Sequence, residues 1–124
     1  MHVLLVEDSD EVRDIAVEYL TELGHESSAV PDAEQALARL LEHSCDAVMT
    51  DVSLPGMSGI ALAKALVDKY PQLPVVISSG YGGLDLDVLF RDKRNHVFVL
   101  PKPYDLTALE QVLSAAAALK PSEK

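Results

Sequence analysis

The chain has 124 residues, of which 20 are acidic and 10 basic, for a formal net charge of −10. That length holds one domain of ordinary size and no second, and 48% apolar residues are enough for a core, which excludes a disordered acidic tail. The acidic balance excludes a phosphate-neutralising nucleic-acid patch, so the expected partner is a protein, a cation or a small phosphodonor.

The first apolar run, His2–Val6, ends in Glu7-Asp8. Val12, Ile15, Ala16, Tyr19, Leu20 and Leu23 then recur at intervals of three and four, which predicts a helix stopped by Gly24. A second run over Glu26–Val30 is weak and polar, as suits an edge strand. Asp32 is placed to cap a helix carrying Leu37, Leu40 and Leu41, with Gln35 at the capping-box position. The third run, Ala47–Met49, leads into Thr50-Asp51, and Ser58 can cap a helix with Ile60, Leu62, Ala63, Leu66 and Val67. The fourth run, Val75–Ile77, leads into Ser78-Ser79, and a short, poorer helix is expected over Leu84–Phe90. The fifth, Val97–Leu100, runs to Lys102, and Asp105 can cap a last helix through Leu109, Val112, Leu113 and Ala116.

Four of the five runs are continuously apolar, which is how parallel strands read when helices cover both faces of a sheet. Strand–helix alternation repeated five times predicts right-handed crossovers and a three-layer α/β sandwich. One domain over residues 1–120 and a tail at 121–124 are expected. The single cysteine, Cys45, forms no internal disulfide and reads as a small residue at the start of strand 3. The four histidines have no metal-binding spacing. No run is long enough to span a membrane, and the N-terminus has no secretory signal pattern, so a cytoplasmic location is expected.

In open parallel sheets, sites form beyond the carboxyl ends of the strands. Those ends carry Glu7, Asp8 and Asp51, the hydroxyls of Ser78 and Ser79, and the ammonium of Lys102. Converging carboxylates repel unless a cation compensates. Lys102 supplies one charge, and an all-oxygen site suits Mg²⁺ for the rest. Such an arrangement binds phosphate, and an aspartate in it can attack phosphorus to form an acyl phosphate.

On four segments the chain resembles a response-regulator receiver domain, the phospho-accepting module of two-component signalling and a CheY-like fold. They are Val6-Glu7-Asp8-Ser9, Thr50 to Gly59 (TDVSLPGMSG), Pro74 to Gly80 (PVVISSG) and Leu100-Pro101-Lys102-Pro103-Tyr104. The match covers essentially all of residues 2–119. The resemblance implies a flavodoxin-like, doubly wound (βα)5 fold with strand order 2-1-3-4-5. It implies that Asp51 accepts the phosphoryl group from a histidine kinase or histidine phosphotransfer protein. Asp8 and Asp51 would ligate Mg²⁺ directly, Glu7 through water, and Ser53 through its backbone carbonyl. Ser79 would be the switch hydroxyl, Lys102 the phosphoryl contact, and the bond before Pro103 would be cis. Ser78 competes with Ser79 for the hydroxyl role; the interval from Pro74 favours Ser79, and strand alternation is expected to turn Ser78 elsewhere.

Three departures from the family pattern stand out. The switch aromatic falls at Val99, with Phe98 one residue off and on the opposite face. Tyr81, two residues past Ser79, is bulky at a position that influences water access, and is expected to slow autodephosphorylation. The loop Arg91 to His96 lacks the usual Gly-Ala pattern and reads as solvated.

The leading function is a phosphorylation-controlled switch whose altered surface is strand 5 and its flanking helices, a face that an output domain, an output protein or a second protomer could cover. Its only chemistry would be self-catalysed phosphoryl transfer and autodephosphorylation at Asp51. One alternative is an Asp-nucleophile phosphatase or phosphotransferase, disfavoured by Ser53 where haloacid-dehalogenase-type phosphatases carry a second Asp. The other is a degenerate receiver used for docking, disfavoured by the intact Glu7, Asp8, Asp51, Ser79 and Lys102 set.

Overall fold

A computed structural model describes residues 1–80 and 96–118. Tyr81, the helix expected over Leu84–Phe90, most of the loop before strand 5 and the tail fall outside them. Five strands, β1 (His2–Val6), β2 (Glu26–Val30), β3 (Ala47–Asp51), β4 (Val75–Ser79) and β5 (Val97–Pro101), form one parallel sheet in the order β2-β1-β3-β4-β5. The described helices are α1 (Asp10–Glu22), α2 (Ala33–Glu42), α3 (Gly59–Lys69) and α4 (Leu106–Ala118).

Each helix begins at a polar cap. Ser9 Oγ accepts from Val12 N at 3.4 Å, and Asp10 and Glu11 place negative charge in the first turn of α1, where the helix dipole favours it. Asp32 Oδ1 accepts from Gln35 N at 2.8 Å; Gln35 Nε2 returns to Asp32 Oδ2 at 3.3 Å rather than to the cap backbone, a variation on the expected capping box. Ser58 Oγ accepts from Ala61 N at 3.1 Å, and Asp105 Oδ1 from Ala108 N at 2.8 Å. The stop after α1 is a Schellman turn: His25 N donates to Leu20 O at 2.9 Å, Gly24 N donates to Thr21 O at 3.0 Å, and Gly24 sits at φ +85°.

Alternate strand residues divide between two cores. Leu4, Val6, Val48, Val75 and Ile77 face α2 and α3, where Ala33, Ala36, Leu62 and Leu66 meet them. Val3, Leu5, Met49, Val76 and Leu100 face α1 and α4, against Ala16, Leu20, Leu109 and Leu113. The larger of these side chains each stabilise the fold by about 1.5–3 kcal/mol through burial. The polar β2 is an edge strand, as its sequence suggests.

Three strands run past their apolar segments. β3 continues through Thr50-Asp51, β4 through Ser78-Ser79 and β5 to Pro101, because the ladder itself continues: Asp51 pairs with Ser78, and Ser79 with Pro101. The polar residues therefore stand on the last rungs of the sheet, not in loops beyond it.

The return from β3 to α3 depends on Gly59, whose N–H donates to Val52 O at 2.9 Å. A Cβ built there would lie 1.9 Å from Asp51 O and 2.8 Å from its carbonyl carbon, a clash with backbone that cannot swing aside. At Gly24 a Cβ would meet nothing within 4 Å, so only the positive φ opposes a side chain. Urea unfolding is expected to separate the two: Gly24→Ala should cost about 1 kcal/mol and Gly59→Ala more than about 3 kcal/mol. Equal costs would contradict the close approach of α3 to Asp51.

Candidate functional site

The polar ends of β1, β3 and β5 meet at one edge of the sheet. Val6 pairs with Thr50, so Glu7 emerges beside Asp51, and carboxylate oxygens of Glu7, Asp8 and Asp51 all lie within 4.8 Å of one another. Lys102 is brought over them from the far edge. Its backbone N–H donates to Ser79 O at 2.7 Å, the Lys102–Pro103 bond is cis, and its Nζ lies 3.0 Å from Asp51 Oδ1 and 3.7 Å from Glu7 Oε1. The cis bond predicted before Pro103 is present.

Among the described residues one ammonium, that of Lys102, reaches two of the three clustered carboxylates, Asp51 and Glu7. Glu7 is only 5% exposed, and burial pushes its carboxyl above the ordinary 4.5; the Ser9 N–H, which donates to Oε2 at 3.2 Å, and Lys102 pull the other way, while Asp51 and Asp8 add to the rise. Burial outweighs the neighbouring cation at Glu7, and three carboxylates stand against one ammonium among the described residues. An oxygen-only donor set with one buried, one half-buried and one exposed carboxylate suits a hard divalent cation that keeps part of its water shell. The residues present therefore fit Mg²⁺. Ser53 lies exposed in the segment leaving β3.

One side of the site is aromatic and apolar. Tyr104 packs edge-to-face on Tyr19 of α1, with ring centroids 6.2 Å apart and planes at 67°. Burial, then the carboxylates of Glu7 and Asp51 with Tyr19 between them in weight, pushes the Tyr104 phenol up to about 12. Beside it a groove of about 580 Å³ runs between Val12, Ile15 and Tyr19 on one wall and Lys102 and Pro103 on the other. Ile15 is 51% exposed there. Sequence reasoning gave Tyr104 no role; its spacing from Lys102 and the helical spacing of Val12, Ile15 and Tyr19 were the signals that could have joined them.

The hydroxyls divide differently from the alternation argument. Met49 and Val76 face α1 and α4, so Asp51 and Ser78, two residues on in each strand, share that face, while Ser79 takes the face of Ile77. The expectation that alternation turns Ser78 away from Asp51 is therefore corrected: the two are direct neighbours on one rung, because the β3–β4 register is unbroken to Asp51. Ser79, 1% exposed, ends β4 and carries the carbonyl that holds Lys102. Thr50 Oγ1 donates to Asp51 O at 3.0 Å. Phe98 packs with the α1–α4 core, on the face opposite Val99, as its offset implies.

Comparison with known proteins agrees with this geometry. The sequence model of the family described as "Response regulator receiver domain" matches residues 3–114. The chain is 36% identical over 115 residues to the response regulator protein FleR of Pseudomonas aeruginosa, covering 93% of this chain and 24% of that protein. It is equally similar, 36% over 115 residues, to the two-component response regulator PhoP of the same organism, covering 93% of this chain and 51% of PhoP. The chain thus spans between about a quarter and a half of these curated relatives. Among solved structures it resembles the chemotaxis protein CheY4 of Vibrio cholerae, with a TM-score of 0.83 at 24% identity over 93% of this chain and 97% of that one. The receiver domain of NtrX from Brucella abortus matches with a TM-score of 0.79 at 29% identity over 94% and 98% of the two chains. Among the described residues no helix is long and apolar enough to cross a membrane. The chain belongs to the response regulator receiver domain family of two-component signalling, with the CheY-like, flavodoxin-type α/β fold.

Proposed function

We propose that Asp51 is the phosphoacceptor of this receiver, and that its phosphorylation switches protein–protein contacts. The observation that carries the reading is the placement of Lys102 Nζ at 3.0 Å from Asp51 Oδ1 inside a cluster of three carboxylates. An Asp51 oxygen attacks the phosphorus of a phosphohistidine on a histidine kinase or histidine phosphotransfer protein. The P–N bond breaks, its electron pair stays on the imidazole, and an aspartyl phosphate forms. Mg²⁺, when bound, neutralises charge on the transferring oxygens. Asp8 and Asp51 would hold it directly, Glu7 through water, and Ser53 through its backbone carbonyl. Lys102 exchanges its hold on Asp51 for a phosphoryl oxygen, and the Ser79 hydroxyl donates to another. Pro103 follows Lys102 through a cis bond, and Tyr81 limits access of water to the acyl phosphate. The chain's own chemistry is confined to this transfer and the slower autodephosphorylation.

The output is read on β5 and its flanking helices, where an output domain, a downstream protein or a second protomer covers the strand edge. We place the protein in the cytoplasm, acting on neither nucleic acid nor membrane through this domain.

Incubation with acetyl phosphate and Mg²⁺, followed by intact-mass measurement, tests the assignment. A single phosphoryl adduct is expected, absent in Asp51→Asn, and chelation of the metal should slow its formation about a hundredfold. Rapid turnover of a small phosphoester would instead indicate a phosphatase, and no adduct and no turnover a docking module.

Metal-free stability is expected to depend on pH through Glu7. Its folded carboxyl is raised above 4.5, so the native state binds the proton more tightly than the unfolded state does. That contribution is fully present below 4.5 and is lost as pH rises through the higher folded value. Denaturant midpoints measured across this window should fall with rising pH in the wild type and fall less in Glu7→Gln. A midpoint that rises equally in both would contradict the buried, charge-deficient site.

A further inference from the structure

Ser78 is buried at 3% exposure, and its Oγ has no hydrogen-bond partner among the described residues. A buried hydroxyl left without a partner is disfavoured, and natural structures rarely retain one without a use. Its position points to that use. Ser78 pairs in register with Asp51 on one side and Leu100 on the other, on the face shared with Glu7 and crossed by Lys102. In-register neighbours in a parallel sheet project side by side. The neighbouring hydroxyl of Thr50, by contrast, is satisfied by Asp51 O at 3.0 Å.

We propose that the Ser78 hydroxyl is held in reserve for phosphorylated Asp51, donating to the carboxyl oxygen that does not carry phosphorus and thereby hastening loss of the phosphoryl group. This rests on the reading of Asp51 as phosphoacceptor. In the resting state Asp51 Oδ1 is taken by Lys102 at 3.0 Å. Once Lys102 follows the phosphoryl group, the Asp51 oxygen that does not carry phosphorus loses the ammonium contact, and the Ser78 hydroxyl on the paired rung is a buried donor for its free lone pair. A rotation about one side-chain bond redirects Oγ without moving the backbone. In hydrolysis, water attacks phosphorus, the P–O bond to Asp51 breaks, and its electron pair returns to the carboxylate while the protons of water leave with inorganic phosphate. Ser78 transfers no proton. It stabilises the charge that develops on the departing carboxylate.

The test uses the full chain, phosphorylated with acetyl phosphate and Mg²⁺ and freed of phosphodonor, with the adduct followed by intact mass. Ser78→Ala should lengthen the adduct's lifetime about fivefold, the worth of one neutral hydrogen bond, with a melting temperature no lower than wild type, since the hydroxyl it removes is unpartnered. Ser78→Cys keeps the volume but is a weak donor, and should decay as slowly as Ser78→Ala. An unchanged or shortened lifetime in Ser78→Ala overturns the proposal, and so does a Ser78→Cys lifetime equal to wild type, which would assign the effect to packing. Persistence of the adduct in Asp51→Asn would overturn the phosphoacceptor reading instead, so the two failures are distinguishable.

Discussion

Three carboxylates held against one ammonium are the constraint on which the rest of this structure turns. Glu7, Asp8 and Asp51 bring oxygens within 4.8 Å of one another, and Lys102 reaches Asp51 at 3.0 Å and Glu7 at 3.7 Å. At such separations like charges cost energy and opposite charges return it, and both grow as water is excluded. The fold makes the arrangement tolerable by fixing every element around it. The β1–β3 register sets Glu7 beside Asp51, the Lys102 N–H on Ser79 O ties the start of the next segment to the end of β4, and Gly59 lets α3 start directly against the Asp51 backbone. Among the described residues the three carboxylates still outnumber the ammonium, and burial raises the Glu7 carboxyl further.

That deficit connects structure to signalling. With three carboxylates and one ammonium among the described residues, the site discriminates between its states of charge, so the proposed metal and phosphoryl group would redistribute what Lys102 and the hydroxyls hold. The hydroxyls stand on different faces of the sheet: Ser78 with Asp51 on the α1–α4 side, Ser79 with Ile77 on the other. The face of Val99 carries no aromatic at that position of β5, and Phe98 is committed to the α1–α4 core. In the switch proposed above, movement at Ser79 would reach β5 through small aliphatic side chains rather than through a swinging ring.

Much of the site was legible in the sequence because it consists of charged residues that interrupt apolar runs. Glu7-Asp8 after Val3 to Val6, Asp51 after Ala47 to Met49, and Lys102 after Val97 to Leu100 each mark a strand end, and parallel topology brings strand ends together. The caps at Asp32, Ser58 and Asp105 were readable for a similar reason, since a polar side chain directly ahead of an apolar helical stripe has a local partner. The ends of β3 at Thr50-Asp51 and of β4 at Ser78-Ser79 were read as strand ends despite their polarity, and these residues join the ladder through backbone bonds that do not depend on side-chain polarity. The relation of Ser78 to Asp51 was missed because it follows from inter-strand register, a non-local property. Tyr104 was hidden because its partners, Tyr19 and the carboxylates, come from distant parts of the chain.

The central claim is that Glu7, Asp8, Asp51 and Lys102 act as a single cation-deficient site. The most direct measurement is a Mg²⁺ titration followed by amide NMR. The account predicts one saturable site, with shifts concentrated at the ends of β1, β3 and β5 and abolished in Asp51→Asn. Weak, non-saturating shifts scattered over the surface carboxylates, unchanged by that substitution, would contradict it.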